Sequence, residues 1–170
     1  MVLIFWLSIA AIVYAYFGYP LILYGLYQFI RRPVLRDDAY LPQVSLIITV
    51  HNEQDRIQDK IENTLTLDYP RDRLEIIFAS DASTDRTEEI IESYTLFRVV
   101  RSGERKGKEF AQKCAVDQAK GQILVFSDVA TRLDSNALRT MTANFADPSV
   151  GCVSSEDRFV DEQGRISGEG

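Results

Sequence analysis

Charge is missing from the first part of this sequence. Residues 2–30 contain no Lys, Arg, Asp or Glu, so the 19 basic and 25 acidic side chains, and the formal charge of −6, all belong to the remainder. A net-acidic remainder argues against nucleic acid as a partner, because phosphate backbones are held by clustered cations. Cysteine is scarce as well. Cys114 and Cys152 are the only two, and no metal-type spacing surrounds them. They are expected to be reduced structural thiols, one in a helix and one in a buried strand, which excludes a disulfide scaffold. A single histidine, His51, has nothing nearby to complete a zinc site or a hydrolytic triad and is given no catalytic role. Two phosphate-binding patterns are absent, since no strand is followed by G-x-G-x-x-G and no G-x-x-x-x-G-K-[ST] occurs. Dehydrogenase and P-loop readings lose their main support. No internal repeat or low-complexity segment appears.

What is present begins with the uncharged run itself. Val2 to Ile30 spans 29 residues, more than a straight helix needs to cross a hydrocarbon core of ~30 Å. Gly18, Tyr19 and Pro20 interrupt it and predict a kink or an interfacial stretch. Tyr14, Tyr16, Tyr19, Tyr24 and Tyr27 suit an interface. A cleavable signal peptide fits poorly: no basic segment leads the run, which is too long, and no small-residue cleavage site follows it. Arg31, Arg32 and Arg36 follow, so the positive-inside rule puts the C-terminal side in the cytoplasm. The expected organisation is a transmembrane anchor over 1–32, a proline-bounded linker over 33–43 and one folded domain over 44–170.

Within that domain apolar runs and helical spacings alternate. Val44–Val50, Leu74–Ala79, Leu96–Val100, Ile123–Ser127 and Val150–Ser154 read as five strands. Helices carrying Ile57, Ile61 and Leu65, then Ile90, Ile91 and Tyr94, then Lys108–Lys120, lie between the first four. Ala137, Leu138, Met141 and Phe145 mark a last helix, opened by Asp134 or Ser135. Continuous apolar strands separated by helices imply an α/β fold with a mostly parallel sheet covered on both faces.

In such a sheet ligands bind outside the carboxyl ends of the strands, and the residues there are polar. His51-Asn52-Glu53 follows the first strand, Ser80 to Asp85 the second, and Asp128-Val129-Ala130-Thr131 the fourth. Carboxylates grouped on one edge suit hydrogen bonds to a nucleoside and a hard divalent cation held against phosphates. Bland readings stand beside these. Asp85 with Glu88 forms a capping-box-like pair, Asn52-Glu53 is a polar turn feeding a helix, and Arg105-Lys106-Gly107-Lys108 is either a solvated basic turn or a helix start that meets diphosphate oxygens.

Taken in order, these segments resemble family 2 glycosyltransferases. Thr49-Val50-His51-Asn52-Glu53 resembles the family's opening strand and N-E turn, and Ala79 to Thr87 its D-x-S-x-D-x-T segment. Arg105 to Ala115 resembles its G-K-x-x-A helix start, and Ile123 to Asp128 the strand leading to its metal-binding D-x-D. The leader ending in Phe17-Gly18-Tyr19-Pro20 is similar to that of membrane-bound members. The resemblance covers residues 44 to about 157. It implies the GT-A fold, Rossmann-like, with Thr49, Asn52, Glu53, Asp81, Asp85, Lys108 and Asp128 at a nucleotide-sugar site. Asp81 would lie close to the base, Lys108 near the diphosphate, and Asp128 on a divalent cation, Mg²⁺ or Mn²⁺. Asp85 ranks below Asp81, because it can serve the loop instead of the ligand.

Two departures qualify that picture. The D-x-D position reads Asp128-Val129-Ala130, without a second carboxylate, and Gln112-Lys113 stands where many members carry Leu-Asn, which bears on donor selectivity. Ser155-Glu156-Asp157-Arg158 is expected to line the acceptor side. The general base and the acceptor-binding segment are expected beyond Gly170. The resemblance therefore implies inverting transfer of a sugar, from a UDP-sugar, to a glycan or lipid-linked acceptor at the cytoplasmic face of the cell's inner membrane. A piece of such an enzyme would be inactive alone, with an uncovered sheet edge and apolar face. The alternatives are a nucleotide-binding module without transfer activity and a nucleotidyltransferase. The latter usually shows a Gly-rich basic loop where His51-Asn52-Glu53 stands.

Overall fold

The computed structural model describes residues 1–30, 32–156, 158–160 and 166–169; Arg31 and Asp157 fall outside them. The chain divides into two compact units, Met1–Val34 and Leu35–Gly170. In the first, α1 (Val2–Val13) passes through a π-helical turn, Tyr14–Gly18, into α2 (Tyr19–Ile30). Pro20 supplies no amide and crowds the preceding turn, and the wider turn just before it accommodates both effects. The Tyr19 amide reaches back five residues to the Tyr14 carbonyl. Gly18 lets the Tyr14 ring lie close, since a Cβ there would stand 2.8 Å from Cδ2. The expected interruption is thus a change of helical pitch. No residue of α1 or α2 is buried, and the 29-residue helix is long and apolar enough to cross a membrane.

The second unit is built on a four-stranded parallel sheet. In chain order its elements are β1 (Val44–Val50), α3 (Ile57–Leu65), β2 (Leu74–Ser80), α4 (Thr87–Glu92), β3 (Phe97–Arg101), α5 (Lys108–Val116), β4 (Ile123–Asp128) and α6 (Ala137–Thr142). The strands lie side by side as β3-β2-β1-β4, with every pairing parallel. A short antiparallel pair, β5 (Arg158–Val160) and β6 (Ile166–Glu169), follows. Residues ahead of β1 are tied to this unit as well. The Leu35 amide donates to Asp147 Oδ2 at 3.1 Å, the Asp37 amide to the Ala143 carbonyl at 3.1 Å, and the Tyr69 hydroxyl to the Pro42 carbonyl at 2.7 Å.

Alternation along each strand feeds two apolar layers. One face sends Leu46, Ile48, Val50, Ile76 and Phe78 against Ile57 and Ile61 of α3, Ile91 of α4 and Leu138 of α6. The opposite face sends Ile47, Ile77, Ala79 and Val100 against Ala111 and Ala115 of α5, whose small side chains, four residues apart, bring the helix close to the sheet. Burying each large aliphatic or aromatic side chain in these layers contributes about 1.5–3 kcal/mol. The α5 layer does not reach β4, where Phe126 remains 50% exposed. Coverage of both faces, expected from the apolar runs, therefore fails at β4, which pairs only with β1 among the described residues.

Other expectations shift. Val150–Ser154 is not a strand: Gly151, Cys152 and Ser154 are exposed and no ladder forms. A strand of that composition buries too little to hold an edge position, so Cys152, expected in a buried strand, is exposed instead. The helix expected over 108–120 stops at Val116. The residue leading into α6 is Asn136, without a side-chain cap, rather than Asp134 or Ser135.

At the amino ends of the strands a polar cluster closes the sheet. Ser45 Oγ donates to Glu75 Oε2 at 2.7 Å and accepts the Gly121 amide at 2.8 Å, while the Lys120 amide and Arg98 also reach Glu75 at 3.0 Å each. Burial pushes the Glu75 carboxyl up, but these hydrogen bonds and the guanidinium together outweigh it and hold the group below its ordinary 4.5. A depressed folded value contributes stability above the unfolded pKa and loses it as pH falls through the folded one. The stability gap between wild type and Glu75→Gln is therefore expected to stay constant in urea titrations above about pH 6 and to shrink below about pH 4.5. Gly121 is fixed by close approach, since a Cβ there would stand 2.3 Å from the Ser45 nitrogen. Gly121→Ala is expected to lower stability by about 2 kcal/mol or more, read as a lower urea midpoint at unchanged slope.

Candidate donor site

Strand order reverses at β1. The chain moves from β1 to β2 and β3 on one side, then returns to place β4 on the other. The crevice this opens at the carboxyl ends of β1 and β4 is where an open α/β sheet takes ligands. Thr49 and Asp128 are register partners across it, so two of the expected site residues meet directly because of topology.

The loops after β1 and β2 hold one another. Asn52 and Ala82 both adopt left-handed backbone, with φ of 53° and 51°, a conformation that costs a non-glycine residue of order 1 kcal/mol. Cross-links offset it. The Asn52 amide donates to Ser83 Oγ at 3.2 Å, and Asn52 Oδ1 accepts the Thr84 amide at 2.8 Å. The Glu53 amide donates to Thr87 Oγ1 at 2.8 Å, while the Glu53 carboxylate pairs with Arg56 at 2.8 Å. Asp85 Oδ1 accepts the amide and hydroxyl of Thr87, at 3.0 and 2.6 Å, and Oδ2 accepts the Gln54 amide at 3.1 Å. Burial raises the Asp85 carboxyl, but these bonds more than compensate and leave it below its ordinary range. Both Asp85 oxygens thus serve the loop. The capping-box pairing of Asp85 with Glu88 does not form, because Glu88 turns to Ser80 Oγ at 2.5 Å and to Arg101.

Asp81 is 5% exposed and ties in a third loop. Its Oδ1 accepts the amides of Lys106 and Gly107, at 3.0 and 3.1 Å, and its Oδ2 accepts the Gly107 amide at 3.1 Å. Gly107 has φ of 93°, which favours glycine and turns that amide inward. The basic turn is therefore neither simply solvated nor free to offer those two amides to a diphosphate. His51 Nδ1 lies 2.8 Å from the Asp81 carbonyl, in keeping with a structural histidine.

α5 starts at this point and aims two side chains at the crevice. Lys108 Nζ pairs with both Asp128 oxygens, at 2.7 and 2.8 Å, and Gln112 Nε2 donates to Thr49 Oγ1 at 3.1 Å. Lys108 and Asp128 are each about half exposed, 54% and 49%. Such a pair is worth at most ~1 kcal/mol, so an incoming anion or cation separates it readily. Lys108, Gln112, Asp128 and Ser155 line one cavity of about 200 Å³, which places Ser155 beside the crevice. Gln112 was marked in the sequence as a departure bearing on donor selectivity, but its Thr49 partner was not legible there. Lys60 was missed as well, although its position on the Ile57–Ile61 side of α3 was a signal: it is 2% exposed and donates to Ser127 Oγ at 2.8 Å and to the Thr131 carbonyl at 2.5 Å.

Residues 45–167 match the family model described as Glycosyl transferase family 2. The chain is 32% identical over 139 residues to the beta-monoglucosyldiacylglycerol synthase of Synechocystis sp., covering 76% of this chain and 29% of that protein. It is 31% identical over 137 residues to a poly-beta-1,6-N-acetyl-D-glucosamine synthase of Staphylococcus aureus, covering 78% of this chain and 32% of that one. It therefore spans about a third of the length of these curated relatives. Among solved structures it is similar to the mannosyltransferase PcManGT from Pyrobaculum calidifontis in complex with GDP-Man and Mn²⁺, with a TM-score of 0.72 and 33% identity, over 86% of this chain and 46% of that one. The chain belongs to glycosyl transferase family 2, and its parallel sheet with flanking helices is of the GT-A type.

Proposed function

We propose that the β1–β4 crevice binds the nucleoside diphosphate of a sugar donor, a UDP-sugar, for inverting transfer to a glycan or lipid-linked acceptor. The observation that carries this reading is the convergence of Asp81, just after β2, Lys108, at the start of α5, and Asp128, at the end of β4, on the carboxyl edge where strand order reverses. A carboxylate has roughly four lone-pair positions. Asp81 uses three on the Lys106 and Gly107 amides, which fixes its orientation and leaves one for a base N–H. Thr49, Asn52 and Glu53 frame the nucleoside side, and Asp85 supports the loop from behind. Lys108 exchanges its Asp128 partner for diphosphate oxygens. The solved relative with GDP-Man and Mn²⁺ supports a nucleotide-sugar and divalent-cation chemistry for this fold.

Among the described residues no group of three His, Cys, Asp or Glu side chains is arranged to hold a metal ion. Asp128 alone fits a Mg²⁺ or Mn²⁺ that keeps several waters and takes its remaining ligands from donor phosphates; it does not fit a cage built from protein alone. Bound there, the cation would supply charge stabilisation to the departing diphosphate. The proposal assigns no residue of this chain as the base that deprotonates the acceptor hydroxyl. It places Val2–Ile30 across the membrane, with Arg32 and Arg36 on the cytoplasmic side and the catalytic domain in the cytoplasm, which suits an acceptor made at that surface.

Calorimetric titration of the whole chain in detergent with UDP, with and without Mn²⁺, tests the reading. UDP is expected to bind with Mn²⁺ present, Asp128→Ala to weaken Mn²⁺-dependent affinity by about 10- to 100-fold, and Asp81→Ala to weaken UDP binding with or without the metal. Binding of GDP in preference to UDP would overturn the donor assignment, and folded protein that binds neither would overturn the site.

A further inference from the structure

The buried side of α3 consists of Ile57, Lys60, Ile61 and Thr64. A lysine thus stands where helical spacing calls for an apolar side chain, at a position where burying charge costs more than burying a methionine. Its two acceptors bracket Asp128. Ser127 precedes it, and Thr131 closes the turn after it, donating its own amide to the Asp128 carbonyl at 3.2 Å. One turn along the same helix, Asn63 clasps Leu133, donating to its carbonyl at 2.8 Å and accepting its amide at 2.9 Å. The segment from Ser127 to Leu133 is therefore hung from α3 at three points, above a groove of about 680 Å³ whose lining includes Arg56, Asp59, Thr131 and Arg132.

Burial lowers the Lys60 pKa to about 8, with the Asp128 charge opposing the shift. No carboxylate pairs with Lys60 among the described ion pairs. Asp128 is thus paired from the α5 side with a half-exposed lysine, and its loop is held from the α3 side by a lysine that is 2% exposed.

We propose that Lys60 is a positioning residue for the donor site, holding the 127–131 turn so that the Asp128 carboxylate faces the β1–β4 crevice before any donor arrives. The inference rests on the donor-site reading above. It explains why a charged side chain stands in an apolar stripe: it fastens both ends of a turn whose middle side chains, Val129 and Ala130, make no hydrogen bonds.

The test uses the whole chain in detergent, with Lys60→Met (similar length, no charge), Ser127→Ala (one acceptor lost, charge kept) and Ile61→Val, a core change on the same helix away from the turn. Amide hydrogen exchange is read for 127–133 and for 123–126, and UDP affinity is read in Mn²⁺. Lys60→Met is expected to speed exchange in 127–133 and to weaken UDP binding, each by about tenfold or more, while 123–126 stay protected. Ser127→Ala is expected to give about a fivefold effect, one hydrogen bond's worth. Ile61→Val is expected to lower the melting temperature with both readouts unchanged. Unaltered exchange in 127–133, or wild-type UDP affinity, in Lys60→Met and Ser127→Ala overturns the inference. So does an Ile61→Val variant that loses UDP affinity to the same degree. Wild-type protein that binds no UDP defeats the donor-site reading and the functional half of the inference with it, while the exchange arm still decides whether Lys60 holds the turn.

Discussion

Reversal of strand order at β1 is the constraint on which the site depends. Because β2 and β4 flank β1 on its two sides, the loops after β1, β2 and β4 come together along one edge of the sheet, the carboxyl edge where open α/β sheets take ligands. Thr49 and Asp128 face each other there by register alone. The apolar layers lock that register, since a one-residue slip would exchange the side chains committed to the α3 layer with those committed to the α5 layer.

Upon this frame the polar residues divide between those that build loops and those that remain available. Asp85, Ser83 and Thr87 spend their hydrogen bonds on each other and on the residues after β1. Asp81 fastens the turn ahead of α5 while keeping one acceptor position, and the Lys108–Asp128 pair is exposed enough to be exchanged. Buried charge-assisted bonds contribute about 1.5–3 kcal/mol each, and a half-exposed ion pair at most ~1 kcal/mol. The rigid contacts are therefore in the loop supports and the exchangeable one is at the position proposed to meet the diphosphate. Such an arrangement presents donor groups preorganised and lowers the ordering cost of binding.

The sheet was legible because its four strands are continuous apolar runs, the pattern expected of strands covered on both faces. Phe126 shows the limit of that inference: a run records what a strand needs covered, and β4 is left half open. Val150–Ser154 failed for the same reason, as Val150 and Val153 are a weak apolar signal in a stretch that is mostly exposed. Acidic clusters pointed to the strand ends, where the structure brings Asp81 and Asp128 to one edge of the sheet, but their division of labour lay in contacts between loops some thirty residues apart, such as Asn52 with Thr84 and Gln54 with Asp85. No local pattern carries those. Lys60 was hidden by its type, since a helical lysine is ordinarily solvated, and only its place between Ile57 and Ile61 marked it as buried.

Paramagnetic broadening of backbone amide signals by Mn²⁺ tests the central claim most directly, because it locates the cation without relying on a variant. With UDP present, amides of Thr49–Asn52, Lys106–Lys108 and Asp128–Thr131 are expected to broaden together, and to recover when UDP is removed at the same Mn²⁺ concentration. Broadening independent of UDP and centred on other acidic residues, such as Asp37 and Asp38, would contradict a donor site in the β1–β4 crevice.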